Sequence, residues 1–332
     1  MKKLRVAVIG LGKQALEDHI PALLACVDCE LIAVVDIDKE KVKFFLDSHQ
    51  HVHGYADLQL LIDSEKLDFA IVATPHYTHF DITKFLIENH INVLKEKPFA
   101  TSLSEGEMIK KLADQNSVEV STTLQRRFNP IYSTFFQLVS KIGDVFYFDI
   151  HYNFFTDSPD VGWRAKNDLA GGVIVDMGYH VIDLLVWYFG VPEEIFAHTS
   201  CNAKESTCYD AEDTALLTVT YKKERFWGTV VISRVMSPKR ESIDVYGTRG
   251  HIHLERGKIE RFSSEGKLVE SLSREQGWPS AAQDQIEYFV KVISGKKENM
   301  CGPEYELNHL RIIAAAYDSI KSNTVIKIKG TN

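Results

Sequence analysis

Leu4-Arg5-Val6-Ala7-Val8-Ile9-Gly10-Leu11-Gly12-Lys13-Gln14-Ala15 begins as a short β-branched run, stops at a glycine turn and opens a helix. This G-x-G-x-x-A pattern has a physical reading. Gly10 permits the tight turn, Gly12 lets the backbone approach a pyrophosphate, and Ala15 keeps the helix close to the sheet. The helix start, with Lys13 and Gln14, offers oriented N–H donors. Alone the pattern is weak, and a glycine turn that merely packs is the alternative. Asp36, however, closes the second apolar strand (30–35) 24 residues after Gly12. That is near the ~20-residue offset at which an acidic side chain takes the ribose hydroxyls of a dinucleotide. A carboxylate pairs with the diol of NAD and repels the 2′-phosphate of NADP, and no arginine follows in Asp36-Ile37-Asp38-Lys39. NAD is expected. NADP stays open, because Lys39 or a loop residue could receive the phosphate.

Working outward, the first third alternates apolar strands with helical spacings. A helix over 13–26 has Leu16, Ile20, Leu23 and Leu24 at its spacing. Further strands fall at 67–73, 91–94 and 118–122. A helix over 104–115 has Ser104 as its N-cap and Glu107 three residues on. Near-continuous apolar strands between amphipathic helices predict an α/β, doubly wound parallel sheet over residues 1–123. After about residue 124 the texture changes. An aromatic strand over 145–155 and a helix over 173–189 precede a run of β-segments from Glu193 to about Val269, and two helices follow. Consecutive strands with helices grouped elsewhere predict an α+β domain over 124–332, with a large, mostly antiparallel open sheet. Such a sheet needs covering, so a homodimer or homotetramer through the sheet face is expected.

The 332 residues carry 38 basic and 46 acidic side chains, a formal net charge of −8, which argues against a nucleic-acid partner. No uncharged apolar run approaches the ~18 residues that span a bilayer. The basic start is followed by an apolar run that Gly10, Gly12 and Lys13 cut short, which fits a strand better than a secretory signal. A cytoplasmic protein with a small-molecule substrate is expected. Cys26 and Cys29 form a lone C-x-x-C before a strand, a poor context for a redox pair.

Two further constellations carry chemistry. Lys95-Glu96-Lys97-Pro98 follows the fifth strand, and the carboxyl ends of parallel strands face the ligand crevice. A lysine there can reach a nicotinamide or a substrate hydroxyl, with a solvated charge cluster as the alternative. Asp176 and His180 stand at i and i+4 of one predicted helix, so carboxylate and imidazole share a face. A histidine partnered by a carboxylate can take a proton from an alcohol near neutral pH, because its ordinary pKa is about 6.5. A core Asp–His hydrogen bond is the competing reading. Among the aromatics of the 145–155 strand, Tyr152 is the candidate for lining a sugar site.

With these pieces the chain resembles the glucose-fructose oxidoreductase/inositol dehydrogenase/rhizopine catabolism family, Gfo/Idh/MocA, over essentially its whole length. The resemblance adds Ala73-Thr74-Pro75 with His79, Glu96-Lys97-Pro98, Arg127-Phe128 with Pro130, Trp163-Arg164 and the glycine run before Asp176 and His180. It implies Lys97, Asp176 and His180 as catalytic and substrate-binding residues, joined by Arg127 and Tyr152 at the substrate. Thr74, Pro75, His79, Glu96, Lys97, Arg127, Trp163 and Arg164 would line the cofactor or the cleft. Ala170 stands where many relatives have a third glycine, and Ala15 replaces the last glycine of the loop. The implied activity is NAD(P)-dependent hydride transfer between nicotinamide and a secondary alcohol or ketone of a sugar, inositol or sugar derivative. Two alternatives stay open: an enzyme that recycles tightly bound NAD, and a non-catalytic dinucleotide-sensing regulator, against which the intact Lys97, Asp176 and His180 count. His49, His51 and His53 look like a metal cluster, but they run into a segment matching the family's third helix, and no metal is expected.

Overall fold

A computed structural model describes residues 2–202, 209–255, 257–274 and 278–330. In chain order the first elements are β1 (Leu4–Ile9), α1 (Ile20–Ala25), β2 (Cys29–Val35), α2 (Lys39–Ser48), β3 (His53–Tyr55), α3 (Leu58–Ser64) and β4 (Phe69–Val72). Next come α4 (His79–Glu88), β5 (Asn92–Lys95), α5 (Leu103–Asn116), β6 (Val120–Thr122), α6 (Gln125–Phe128), α7 (Pro130–Val139) and β7 (Val145–Phe155). Then follow α8 (Val173–Asp176), α9 (Gly178–Phe189), β8 (Glu194–Ser200), β9 (Thr214–Tyr221), β10 (Phe226–Ser233), β11 (Val235–Gly247) and β12 (Gly250–Glu255). The chain closes with β13 (Lys258–Ser263), β14 (Leu268–Ser273), α10 (Trp278–Ile293), α11 (Pro303–Ser322) and β15 (Ile326–Lys327). Residues 203–208 and 256, inside the predicted run of strands, lie outside the described residues. No helix among the described residues is long and apolar enough to cross a membrane.

Two compact units result, Met1–Phe128 with Trp278–Leu307, and Asn129–Gly277 with Asn308–Asn332. The first unit is a six-stranded parallel sheet in the order β3-β2-β1-β4-β5-β6. Its strands are apolar without alternation because both faces are covered: Val6, Ala7, Phe69, Ala70, Ile71 and Val72 are all fully buried. The chain returns to this unit after residue 277. Ala282, Ile286, Phe289 and Val292 of α10, spaced at helical intervals, enter the same core as Val6, Val8 and Leu23. The Phe289 ring meets Phe69 edge to face, at 5.5 Å between centroids.

The helix expected over 13–26 begins differently. Ala15–His19 forms a π-turn, closed by Ile20 N donating to Ala15 O, before α1 starts. Pro21 in the first turn of α1 has no N–H to give to Glu17, and the wider turn accommodates that loss. The turn also shifts the phase of the helix. Ala15, His19, Ile20 and Leu23 are buried, whereas Leu16 and Leu24 are exposed, contrary to the expected inward face. At α5 the N-cap is Ser102, not Ser104: its hydroxyl accepts from Glu105 N at 3.2 Å, and Glu105 reaches back to Thr101 N.

The second unit holds a nine-stranded sheet, β14-β13-β12-β11-β7-β10-β9-β8-β15. All its pairings are antiparallel except β10 with β7, as the expected mostly antiparallel sheet requires. Along β9 and β10 burial alternates, so one face packs against helices and the other does not.

Candidate active site

The first unit gathers its candidates at the carboxyl ends of the parallel strands. Backbone bonds stitch these ends together: Gly10 N to Val35 O (2.7 Å), Ala73 N to Ile9 O (2.8 Å) and Glu96 N to Val72 O (2.8 Å). Gly10 has φ of +94°, and a Cβ there would lie 2.5 Å from Ala73 O, so no other residue fits. Gly12 differs. A Cβ there would meet nothing nearer than Ala73 O at 3.9 Å, so internal packing does not demand glycine. The room left is what close approach of a pyrophosphate requires, and the donor set fits a dinucleotide. Asp36 is anchored beside it. Its Oδ2 accepts from Leu11 N at 2.7 Å and its Oδ1 from Asp38 N at 2.9 Å, while Lys41 Nζ stands 3.9 Å from Oδ2. Lys13 pairs with Glu17 and Gln14 with Asp18, both on the surface.

Below these loops lie groups that hold them. His79 is fully buried. Its Nε2 lies 2.8 Å from Thr74 O and its Nδ1 3.3 Å from Pro98 O. Burial, with Lys95 nearby, pushes its pKa down to about 3, so the ring is neutral. A neutral ring carries one N–H, so His79 donates to one of the two carbonyls, and the 2.8 Å contact to Thr74 O is the shorter. Glu96 meets the buried His19 at 2.7 Å; burial alone would raise its carboxyl, but the His19 hydrogen bond and the Lys97 charge hold it below the usual range. Lys95 is fully buried, and its Nζ donates to Phe99 O at 2.5 Å. Desolvation pushes it down to about 7 despite the opposing pull of Glu105 and Glu306. Lys97 is half-buried, and Arg127 donates to Met300 O at 2.9 Å.

The second unit builds the other half of the candidate set. The predicted helix through Asp176 and His180 has a joint at Met177, whose backbone stays right-handed helical (φ −89°, ψ −42°). α8 ends at Asp176, and α9 starts at Gly178 after Met177. His180 N donates to Met177 O at 3.3 Å, which tightens the joint. The glycine run before α8 is explained by its neighbours. A Cβ on Gly171 would lie 2.5 Å from Trp163 O, and one on Gly172 would lie 2.1 Å from both oxygens of the Glu212 carboxylate. Glu212 accepts from Ile174 N (3.1 Å) and Tyr317 Oη (2.8 Å), while burial raises its carboxyl above the usual range. Asp176 is gripped by two arginines: Arg164 Nε at 2.8 Å and Arg234 Nη2 at 3.5 Å from Oδ2. The Arg164 guanidinium lies over the Trp163 ring, 4.3 Å from its centroid. The Tyr152 ring meets His180 edge to face at 6.4 Å.

Sequence reasoning missed His19, Glu212 and Arg234, and took Lys95 only as part of the Lys95-Glu96-Lys97-Pro98 cluster. Only Arg234, a charge directly after the apolar β10, left a visible sign. The remaining distractors are placed in local contacts. His49 stacks on Phe45, His53 bonds Glu65, and the Cys26 and Cys29 sulfurs stand 3.5 Å apart, both buried. Burial, with Cys26 beside it, raises the Cys29 thiol above its ordinary value and disfavours the thiolate.

Comparison with known proteins decides the kinship. Residues 4–124 match the oxidoreductase family's NAD-binding Rossmann fold, and residues 137–328 match the same family's C-terminal alpha/beta domain. The chain belongs to the Gfo/Idh/MocA oxidoreductase family. It is similar to scyllo-inositol 2-dehydrogenase (NADP(+)) of Bacillus subtilis, 24% identical over 98% of this chain and 96% of that one. It is also similar to glucose-6-phosphate 3-dehydrogenase of the same organism, 27% identical over 82% and 79%. Its fold matches the WlbA dehydrogenase of Bordetella pertussis, solved with NADH and UDP-GlcNAcA, with a TM-score of 0.85 at 18% identity and 99% coverage of both chains. As a Gfo/Idh/MocA protein the chain is an NAD(P)-dependent oxidoreductase.

Proposed function

We propose that this Gfo/Idh/MocA protein oxidises a secondary alcohol of a cyclic sugar, an inositol or a sugar derivative, or runs the reverse reduction. The arrangement that carries the reading is Asp176, ion-paired to Arg164 and Arg234, four residues before His180 with Tyr152 at the imidazole edge. The charge of the Asp176 carboxylate is engaged by two guanidinium groups, which makes it a poor acceptor for the hydroxyl proton. That leaves His180 as the base for the hydroxyl proton, with Asp176 fixing its surroundings and binding substrate. Lys97, from the first unit, donates a hydrogen bond to the reacting oxygen and stabilises its developing charge. When bound, the dinucleotide supplies the hydride acceptor. Gly10, Gly12, Ala15, Asp36, Thr74 and Pro75 would hold it, and Glu96 and Arg127 would frame its loops, with Trp163 a further candidate for the cofactor. NAD is preferred, because a 2′-phosphate meets the Asp36 carboxylate. A screen of polyols, sugars and keto-sugars with NAD(H) and NADP(H), followed at the nicotinamide absorbance, tests this. Absence of turnover across the panel, or an NADP preference, contradicts the corresponding half of the reading.

We further infer a homodimer or homotetramer through the uncovered sheet face, in a cytoplasmic protein. One register row crosses five adjacent strands there: Trp227, Tyr147, Tyr246, His251 and Phe262. Their rings contact in series at 4.8, 5.9, 5.1 and 4.4 Å between centroids. Trp227 remains 48% exposed. A contiguous aromatic row of this kind is the usual anchor of a protein interface.

A further inference from the structure

We propose that the physiological substrate is an anionic polyol, a sugar acid or a sugar phosphate, whose charged group docks on the outer edge of the Arg164 guanidinium. The inference rests on the dehydrogenase reading and adds the substrate's charge to it.

The observations come from the second unit alone. Arg164 sits in a 3-10 turn, Trp163–Ala165, and its side chain is 54% exposed. A side chain so exposed is ordinarily mobile, yet three contacts fix this one. Nε donates to Asp176 Oδ2, the Trp163 ring lies 4.3 Å from the guanidinium carbon, and the Arg164 carbonyl accepts from Arg234 Nη1 at 2.8 Å. Arg234 is itself 3% exposed and also donates to Gly171 O at 2.6 Å, so the turn is braced from below. Nη1 and Nη2 of Arg164 have no partner among the described residues. A guanidinium held by its Nε and one face, with both Nη groups open, presents two parallel N–H donors in the spacing that carboxylate and phosphate oxygens match.

The exposed guanidinium charge points the same way. The Asp176 carboxylate faces two guanidinium groups, Arg164 and Arg234. Of these two guanidinium groups Arg164 reaches solvent, its side chain 54% exposed against 3% for Arg234. A neutral polyol offers hydroxyl acceptors alone, which use this charge poorly. An anion forms charge-assisted bonds, roughly twice as strong as neutral ones.

Equilibrium binding to the NAD⁺-saturated protein tests the proposal. Matched probes are glucose, glucuronate and glucose 6-phosphate, then myo-inositol and inositol 1-phosphate, with inorganic phosphate as the anion lacking a polyol. At least one anionic member should bind tenfold or more tighter than its neutral partner and than free phosphate. The carboxylate and phosphate arms show which anion the fork accepts. Arg164→Gln should bring the anionic-to-neutral ratio within about twofold, and Arg164→Lys should restore only part of it. Equal binding of neutral and anionic probes, no binding of any probe, or a ratio that survives in Arg164→Gln would overturn the proposal. So would an Arg164→Gln variant that loses NADH affinity while keeping its anion preference, since Arg164 would then contact the dinucleotide. Turnover of neutral polyols with the anions inert sinks this inference and leaves the dehydrogenase reading standing. Anion binding without turnover of any probe sinks the dehydrogenase reading instead.

Discussion

At Asp36 both carboxylate oxygens are already engaged by backbone N–H groups of Leu11 and Asp38. The same side chain that discriminates against a 2′-phosphate thus fixes the glycine turn to the end of β2. Hydrogen bonds to a charged acceptor are each worth about 1.5–3 kcal/mol. Asp36→Ala should therefore weaken NADH binding by roughly tenfold or more while narrowing the gap between NAD and NADP, as a fluorescence titration would read. Unchanged NADH affinity would show that the anchoring is immaterial. Ala170 has φ of +55°. A Cβ in that left-handed region costs about 1–2 kcal/mol. Ala170→Gly should raise thermal stability by up to that amount, and a lower melting temperature would contradict the strain. Both side chains were named from sequence. Their backbone roles were not, because a hydrogen bond to Leu11 N and a positive φ are properties of the folded turn.

Among the elements, β5 with its loop carries the clearest pH consequence. Lys95 titrates near 7 in the folded chain against an ordinary value of 10.5. Between those values the unfolded chain binds the extra proton, so this group makes stability rise with pH across that window, by at most about 1.4 kcal/mol per pH unit. At and below pH 7 its burial costs the folded state most. Lys95→Met should thus gain stability relative to the parent at pH 7 and lose that advantage toward pH 10, in paired thermal melts. A difference that stays constant with pH would mean Lys95 is not desolvated. At α8, Gly172→Ala places a Cβ against the Glu212 carboxylate and should destabilise by about 1–3 kcal/mol, measured by denaturant unfolding. Element type was legible wherever the apolar pattern was long, as in β1, β2, β7 and β10. It failed at joints. Leu16 and Leu24 looked inward because a 3.6-residue period was assumed across a π-turn, and the joint between Asp176 and His180 falls at Met177, whose backbone stays right-handed helical. The cap at Ser102 rather than Ser104 was an ambiguity between two equivalent residues that only the fold resolves.

At the scale of the whole molecule, sequence separated a parallel α/β unit from an antiparallel one but not the return of α10 to the first core. Its apolar stripe states that a face is buried, not which sheet buries it. The aromatic row on the second sheet leads to a prediction about assembly. Light scattering should find a dimer or tetramer at micromolar concentration, and Trp227→Glu should shift it toward monomer. A monomeric parent would remove the inferred interface. The central claim, a dehydrogenase whose His180 takes the proton, is tested most directly by single-turnover kinetics of His180→Ala. The assay uses the substrate found in the screen, with the NADH dissociation constant measured in parallel. General acid–base catalysis is worth about 10²–10⁴ in rate, so turnover should fall by that factor while NADH affinity stays within twofold. Near-parental turnover in His180→Ala would contradict the account and move the base to Lys97.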